Sequence, residues 1–160
     1  MHVCCGPCAV ALIEELKKNQ LTLFFYNPNI TSKEEYFKRL EAVKQVAEIY
    51  QLKLIIGDRD DSFFELAKGL ENEKEGGKRC FACFKNRLMK VADLINDFDY
   101  FVTSLVVSPY KNAFIINQIG IQISKKYMII DFSQERYNQS IMLSKKYKLY
   151  RQKYCGCDYC

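Results

Sequence analysis

No apolar run in the sequence approaches the roughly 20 residues that a membrane-spanning helix needs, and no basic stretch followed by a long apolar one opens the chain. Only 3 prolines and 7 glycines are scattered through 160 residues. No low-complexity tract, internal repeat or Pro/Ser-rich linker is present. These absences predict a soluble cytoplasmic protein of one domain, 1–160, long enough to bury a single core. Histidine is nearly missing: His2 is the sole imidazole, so a site with several metal ligands must draw on another side chain. No G-x-G-x-x-G follows a predicted strand, which removes the fingerprint of a dinucleotide cofactor.

Cysteine, by contrast, is abundant, with 8 residues. Three groups stand far apart, Cys4-Cys5-Gly6-Pro7-Cys8, Cys80-Phe81-Ala82-Cys83 and Cys155-Gly156-Cys157, with Cys160 beyond them. An even count suits a disulfide scaffold, but such scaffolds are small, loop-rich and secreted. This chain has the helix and strand periodicity of a protein that needs no staples, and in a reducing compartment clustered cysteine points to metal binding or catalysis. Cys5-x-x-Cys8 and Cys80-x-x-Cys83 have the spacing at which one turn offers two thiolates to one metal or cluster. One such pair alone would suit a thioredoxin-like redox couple; three groups argue against that. The glycine between Cys155 and Cys157 lets both sulfurs turn toward one point. A structural zinc would use four of the eight sulfurs, and an all-sulfur site suits zinc or iron–sulfur. The formal charge of +5 omits the negative charge that each metal-bound thiolate adds.

Strand and helix signals alternate along the chain. Strands are predicted over 1–5, 21–26, 53–57, 100–107 and 127–132, the second being a nearly continuous apolar run of the buried kind. Helices are predicted over 9–19, from Thr31/Ser32 to about Gln51, over 63–70, 80–96 and 113–126, and within 133–147. The Gly6-Pro7 pair reads as a turn, and 71–78 as an exposed loop. This alternation predicts a three-layer α/β/α fold with a mostly parallel sheet of about five strands. Its functional crevice should lie beyond the carboxyl ends of the strands, at the switch in strand order. Cys4–Cys8, Tyr26–Asn29, Asp58, Ser108-Pro109 and Asp131 all fall at such ends.

The segments HVCCGPC at 2–8, YNPNI at 26–30, GGKRCFACFKNRL at 76–88, SLVVSPYKN at 104–112 and LYRQKYCGCDY at 149–159 carry a family likeness. Together they resemble the cobalamin-independent epoxyqueuosine reductases, the QueH family, over essentially the whole chain. The resemblance implies reduction of the epoxide of epoxyqueuosine, at the tRNA wobble position, to the alkene of queuosine. It also implies a [4Fe–4S] cluster with an additional mononuclear iron beside it, held by Cys4, Cys5, Cys8, Cys80, Cys83, Cys155 and Cys157. Two positions depart from the family pattern. Cys160 stands where serine is more usual and is expected not to be a ligand, and position 8, cysteine here, also accommodates a carboxylate.

Removing an epoxide oxygen takes two electrons and two protons and releases water, and the electrons are expected from an external one-electron donor of the ferredoxin or flavodoxin class. Asp131 and Tyr110 are the candidate proton donors, each with an alternative role as a cap or solvated loop residue. The segment 145–154 interleaves Lys and Arg with tyrosines, a composition that neutralises phosphates and stacks unpaired bases. Tyr150, Arg151 and Tyr154, with Arg79, Arg87, Lys111 and Asn112, are the candidate contacts to the anticodon loop; a solvated helix face with buried tyrosines is the plainer explanation. Two other functions remain open. The parallel α/β layout also resembles the adenine nucleotide α-hydrolase (HUP, PP-loop) type of fold, which admits an ATP-dependent tRNA-modifying enzyme. That chemistry needs backbone N–H groups after the first strand, whereas here the loop offers thiolates and a proline. A zinc-stabilised RNA-binding module is the non-catalytic alternative.

Overall fold

The apolar run at 21–26 forms the middle of the sheet. In the computed structural model, which describes residues 1–159, Thr22–Phe25 is strand β2, flanked by β1 (His2–Val3) and β3 (Lys53–Ile56). Both pairings are parallel, with His2 opposite Phe24 and Thr22 opposite Lys53. Parallel neighbours need crossovers, and helices supply them: α1 (Gly6–Leu16) joins β1 to β2, and α2 (Lys33–Ile49) joins β2 to β3. Four helices follow, α3 (Ser62–Ala67), α4 (Lys78–Ala92), α5 (Ala113–Ile123) and α6 (Gln134–Lys146). Helices cover both faces of β2. Leu23 and Phe25 pack with Val10, Ile13, Val43 and Val46 on one side, and Phe24 and Tyr26 with Leu88, Val91 and Ile116 on the other. Burial on both faces is why the strand reads as a continuous apolar run rather than an alternating one.

Beyond β1 the sheet continues only as single bridges. His2 pairs with Thr103, and Phe101 with Tyr127, both parallel, supported by His2 N to Val102 O and Met128 N to Phe101 O, each 2.8 Å. The described residues therefore contain three strands and two bridged segments, in place of the five strands expected. The reason is local. The Thr103 hydroxyl accepts from Leu105 N at 3.2 Å and caps a 3-10 turn over Ser104–Val107. This buried, β-branched run, strand-like by composition, coils instead. Among the described residues, the chain after Tyr127 pairs with no further strand. The chain runs from β1 to β2 to β3 and then returns to the opposite side of β1, so strand order switches between β1 and the segment after Phe101.

Three of the six helix starts follow side-chain signals: Ser32, Asn112 and Ser133 accept from the backbone N–H three residues on, at 3.3, 3.1 and 3.2 Å. The first helix departs from expectation. It begins at Gly6, with Cys5 as an extended N-cap and Pro7 in its first turn, where a missing N–H costs nothing. The Gly-Pro pair thus opens the helix rather than turning before it. Gly6 is required by packing, since a Cβ there would lie 2.8 Å from Ala42 O in α2.

His2 ties these pieces together. Its ring is fully buried, with Nε2 3.0 Å from Tyr26 O and Nδ1 2.8 Å from Thr103 Oγ1. A carbonyl only accepts, so Nε2 carries the proton and Nδ1 accepts from the threonine hydroxyl. Burial, helped by the Arg87 charge, lowers the imidazole pKa from 6.5 to about 3. Below pH 6.5 the unfolded chain takes up a proton that the folded chain refuses, so stability present above that pH is lost toward pH 3. The slope is about 1.4 kcal/mol per pH unit. Urea unfolding should show about 2 kcal/mol less stability at pH 5 than at pH 7 from this group, and His2→Gln should remove that difference while lowering stability at pH 7. A variant with an unchanged pH slope would show that His2 does not titrate in this way.

Candidate metal and substrate site

The first cysteine group occupies the switch point. Cys4 N donates to Ser104 Oγ at 3.0 Å, and the serine hydroxyl donates back to Cys4 Sγ at 3.4 Å. Cys5 and Cys8 flank the first turn of α1, whose free N–H groups favour negative charge. The Sγ atoms of Cys4, Cys5 and Cys8 all lie within 4.8 Å of one another and are buried, with Cys4 and Cys5 3.7 Å apart. Hydrogen bonds from the Cys5 and Cys8 thiols, and then the Lys111 charge and the Ser104 hydroxyl, hold Cys4 well below the ordinary thiol range. The bond to Cys4 pushes Cys5 up to about 11, and the bonds to Cys4 and Cys5, with burial, raise Cys8 well above the ordinary thiol range. Three clustered sulfurs, with the thiolate form favoured at Cys4, make a soft donor set, which fits zinc, iron or an iron–sulfur cluster.

The second and third groups meet around a cavity of about 390 Å³. Cys80 sits in the first turn of α4, its Sγ accepting from Gly76 N at 3.2 Å, and Cys83 follows one turn later. Burial pushes the Cys83 thiol up, opposed by the Arg87 charge one turn further on. Cys80, Cys83, Cys155 and Cys157 all line the cavity, together with Tyr110 and Lys111. Cys80 also packs against the apolar cluster that contains the first group. A larger, open groove along α2, lined by Lys38, Glu41, Lys148 and Tyr150, holds no cysteine.

The Cys155-Gly156-Cys157 loop has no secondary structure and is held by side chains. Arg39 of α2, 3% exposed, donates to Tyr154 O at 3.0 Å and Cys155 O at 2.9 Å. Its Nε donates to Glu35 Oε1 at 2.7 Å, and Glu35 Oε2 accepts from the Tyr150 hydroxyl at 2.5 Å. Asn29 Nδ2 adds a bond to Cys155 O at 3.2 Å, and Thr31 N one to Gly156 O at 3.1 Å. Gly156 has φ +99, and a Cβ there would lie 3.0 Å from Ile30 Cγ1. Glycine is therefore needed both for the backbone conformation and for the close approach of this loop to Ile30.

The predicted site residues divide accordingly. Arg79, Arg87, Tyr110, Lys111 and Asn112 line the cavity with the four distal cysteines. Arg79 is buried and committed to the chain itself, its guanidinium donating to Leu70 O, Glu71 O, Glu73 O and Tyr159 O at 2.6–3.1 Å. Arg87 is buried too, donating to Asn27 Oδ1 at 3.0 Å. Asp131 does not line the cavity; it is exposed and accepts from Asn117 Nδ2 at 3.3 Å. Tyr150 and Arg151 are engaged internally, the arginine with Ser140 O and Ser144 Oγ at 3.3 and 3.0 Å, while Tyr154 lies over the Arg39 guanidinium at 5.5 Å. Cys160 lies outside the described residues. Sequence reasoning missed Ser104, Asn29, Glu35 and Arg39 as parts of the site. Ser104 and Asn29 stood within quoted motifs, whereas Glu35 and Arg39 sat in an ordinary-looking amphipathic helix and carried no signal.

These features define a parallel α/β protein with three buried cysteines clustered at the switch in strand order and four more lining a cavity. A family model described as epoxyqueuosine reductase QueH matches residues 1–160. A protein named epoxyqueuosine reductase QueH from Streptococcus pyogenes serotype M1 is 37% identical over 174 residues, covering 99% of this chain and 68% of that protein. Its namesake from Acinetobacter baylyi is 37% identical over 99% of this chain and 78% of its own length. The Thermotoga maritima protein of the same name is 34% identical over 98% and 86%. The chain belongs to the epoxyqueuosine reductase QueH family. Gly156→Ala should cost about 2 kcal/mol by strain and crowding and reduce metal bound per chain; a variant with native metal content and stability would show that the loop tolerates a side chain.

Proposed function

We propose that this chain reduces the epoxide of epoxyqueuosine in tRNA to the alkene of queuosine. The observation that carries the reading is a buried triad of cysteines at the switch point and four further cysteines on the wall of one cavity, in a chain whose relatives bear that activity in their names. Cys4, Cys5, Cys8, Cys80, Cys83, Cys155 and Cys157 would hold a [4Fe–4S] cluster and an additional mononuclear iron. When bound, such a centre supplies electrons one at a time and Lewis acidity toward oxygen. The electrons come from an external donor of the ferredoxin or flavodoxin class, two per epoxide, and with two protons they yield the alkene and water.

The chain's own residues prepare the site. Lys111, on the cavity wall and felt by Cys4, offsets the negative charge gathered there and is suited to a phosphate or hydroxyl of the substrate. Asn112, spent as the cap of α5, orients Lys111 and Tyr110. Tyr110 is better supported than Asp131 as the proton donor, because it lines the cavity and Asp131 is held by Asn117. The net charge of +5 supports binding of an RNA, with the anticodon loop entering at the cavity rather than along 145–154, where Tyr150 and Arg151 are spent on internal bonds.

We read 1–160 as one reductase domain. The order β3-β2-β1, then 101–103, then 127, supports an adenine nucleotide α-hydrolase layout of about five strand positions. In that layout the loop after β1 is the phosphate loop. Here it presents three clustered sulfurs, with the thiolate form favoured at Cys4, and a proline without N–H, which argues against ATP. No helix among the described residues is long and apolar enough to cross a membrane.

Protein isolated without oxygen should be brown, with more iron than one [4Fe–4S] cluster accounts for. A colourless zinc protein that still bound tRNA would support the RNA-binding module instead. Incubation of the reduced protein with epoxyqueuosine-bearing tRNA should convert the nucleoside to one lighter by an oxygen atom, read by nucleoside mass spectrometry; no conversion would reject the function. Cys4→Ser or Cys155→Ser should lower turnover by at least about a hundredfold while tRNA binding survives, and unaltered turnover would remove that residue from the site.

A further inference from the structure

Two residues that line the cavity each carry a fully buried polar atom without a hydrogen-bond partner among the described residues. Asn29 is 2% exposed and lines the cavity. Its Nδ2 is used by Cys155 O at 3.2 Å, which sets the amide orientation, and its Oδ1 has no hydrogen-bond partner among the described residues. Arg87, 4% exposed, lines the same cavity. Its Nη1 is used by Asn27 Oδ1 at 3.0 Å, the guanidinium also acts on the neighbouring Cys83 thiol, and its Nε has no hydrogen-bond partner among the described residues. Buried polar groups in native proteins are satisfied by protein, by ordered water or by a ligand, and in a cavity a ligand group can take the place of water.

The pair offers one acceptor and one donor, and that combination selects among ligands. A phosphate or carboxylate would satisfy Arg87 but would face the lone pairs of Asn29 Oδ1 and the sulfurs beyond. An apolar group would leave both atoms unpaired. A hydroxyl both donates and accepts, so a neutral ring bearing hydroxyls satisfies both. The remaining wall, with Phe63, Phe84 and Ile115, suits the carbon skeleton of such a ring, and about 390 Å³ lies in the usual range for small-molecule sites.

The geometry points to Asn29 as a specificity-determining residue: its Oδ1 accepts a hydrogen bond from a hydroxyl on the epoxide-bearing ring of the substrate, while Arg87 Nε donates to the same ring. This rests on the proposed function and adds how the modified nucleoside is told from the guanosine that it replaces. The ring is held by its hydroxyls, with its epoxide edge left toward the cysteines.

Binding of anticodon stem-loops to protein isolated without oxygen, measured by fluorescence anisotropy with no reductant, tests it. The stem-loop bearing epoxyqueuosine should bind roughly tenfold tighter than the same loop with guanosine, the scale of one buried hydrogen bond. Asn29→Leu should weaken binding of the epoxyqueuosine loop severalfold, toward the guanosine level, and leave the guanosine loop unchanged. Equal weakening of both loops would show that Asn29 only holds Cys155, and no change would show that it does not read the ring; either overturns the inference. Should the variant melt early, the wild type is tested against a stem-loop whose ring lacks the hydroxyls. That loop should bind no better than guanosine, and tight binding would overturn the inference. Reduction of tRNA by the wild type together with any overturning result leaves the reductase reading intact. Absence of reduction overturns that reading and this inference with it.

Discussion

Everything at the site hangs on how the end of β1 is held. The strand is only two residues long, too short to align anything by its own ladder. Its direction is set by side chains crossing to the 103–104 turn, His2 Nδ1 to the Thr103 hydroxyl and Cys4 N to Ser104 Oγ. Because His2 is neutral and fully buried, it can make these bonds without an ion to solvate. The same turn that denies the sheet a full fourth strand therefore supplies the partners that place the first cysteine group.

The site is anchored from three sides by different physics. Cys5 and Cys8 are placed by the first turn of α1, and Cys80 and Cys83 by the first and second turns of α4. Cys155 and Cys157 have no such element behind them. Their loop is secured by the buried Arg39–Glu35 pair, whose guanidinium spends its remaining donors on the carbonyls of 154 and 155. A buried ion pair adds little net stability on its own. Its value here is positional, because breaking either partner leaves a buried charge and frees the loop.

Lys111 connects the parts. It stands on the cavity wall and influences Cys4, so the charge of the first group and the space lined by the other two are one electrostatic unit. Arg79, which also lines the cavity, has a different use: it gathers the carbonyls of 70–73 and of Tyr159 and closes the wall by local accounting rather than by meeting a ligand.

The strand-helix alternation, the buried character of β2 and the three cysteine groups are legible in the sequence because each rests on short-range pattern: apolar runs, caps and CxxC spacing. The family likeness is legible for the same reason, through five local segments. Tertiary structure decided the rest. The run at 104–107 coils although its composition favours a strand, because Thr103 captures the next turn and β1 offers too few residues to pair with. Gly6-Pro7 opens a helix rather than a turn, because Gly6 alone fits against Ala42. Asp131 and Tyr150 fall away from the cavity because each is bonded elsewhere, Asp131 to Asn117 on the preceding helix and Tyr150 to Glu35 on α2. Arg39 and Asn29 enter the site through bonds to the carbonyls of 154 and 155, far along the chain. A pattern of residue types determines which chemistry is available; which side chains share one cavity depends on long-range packing, and only the folded chain decides that.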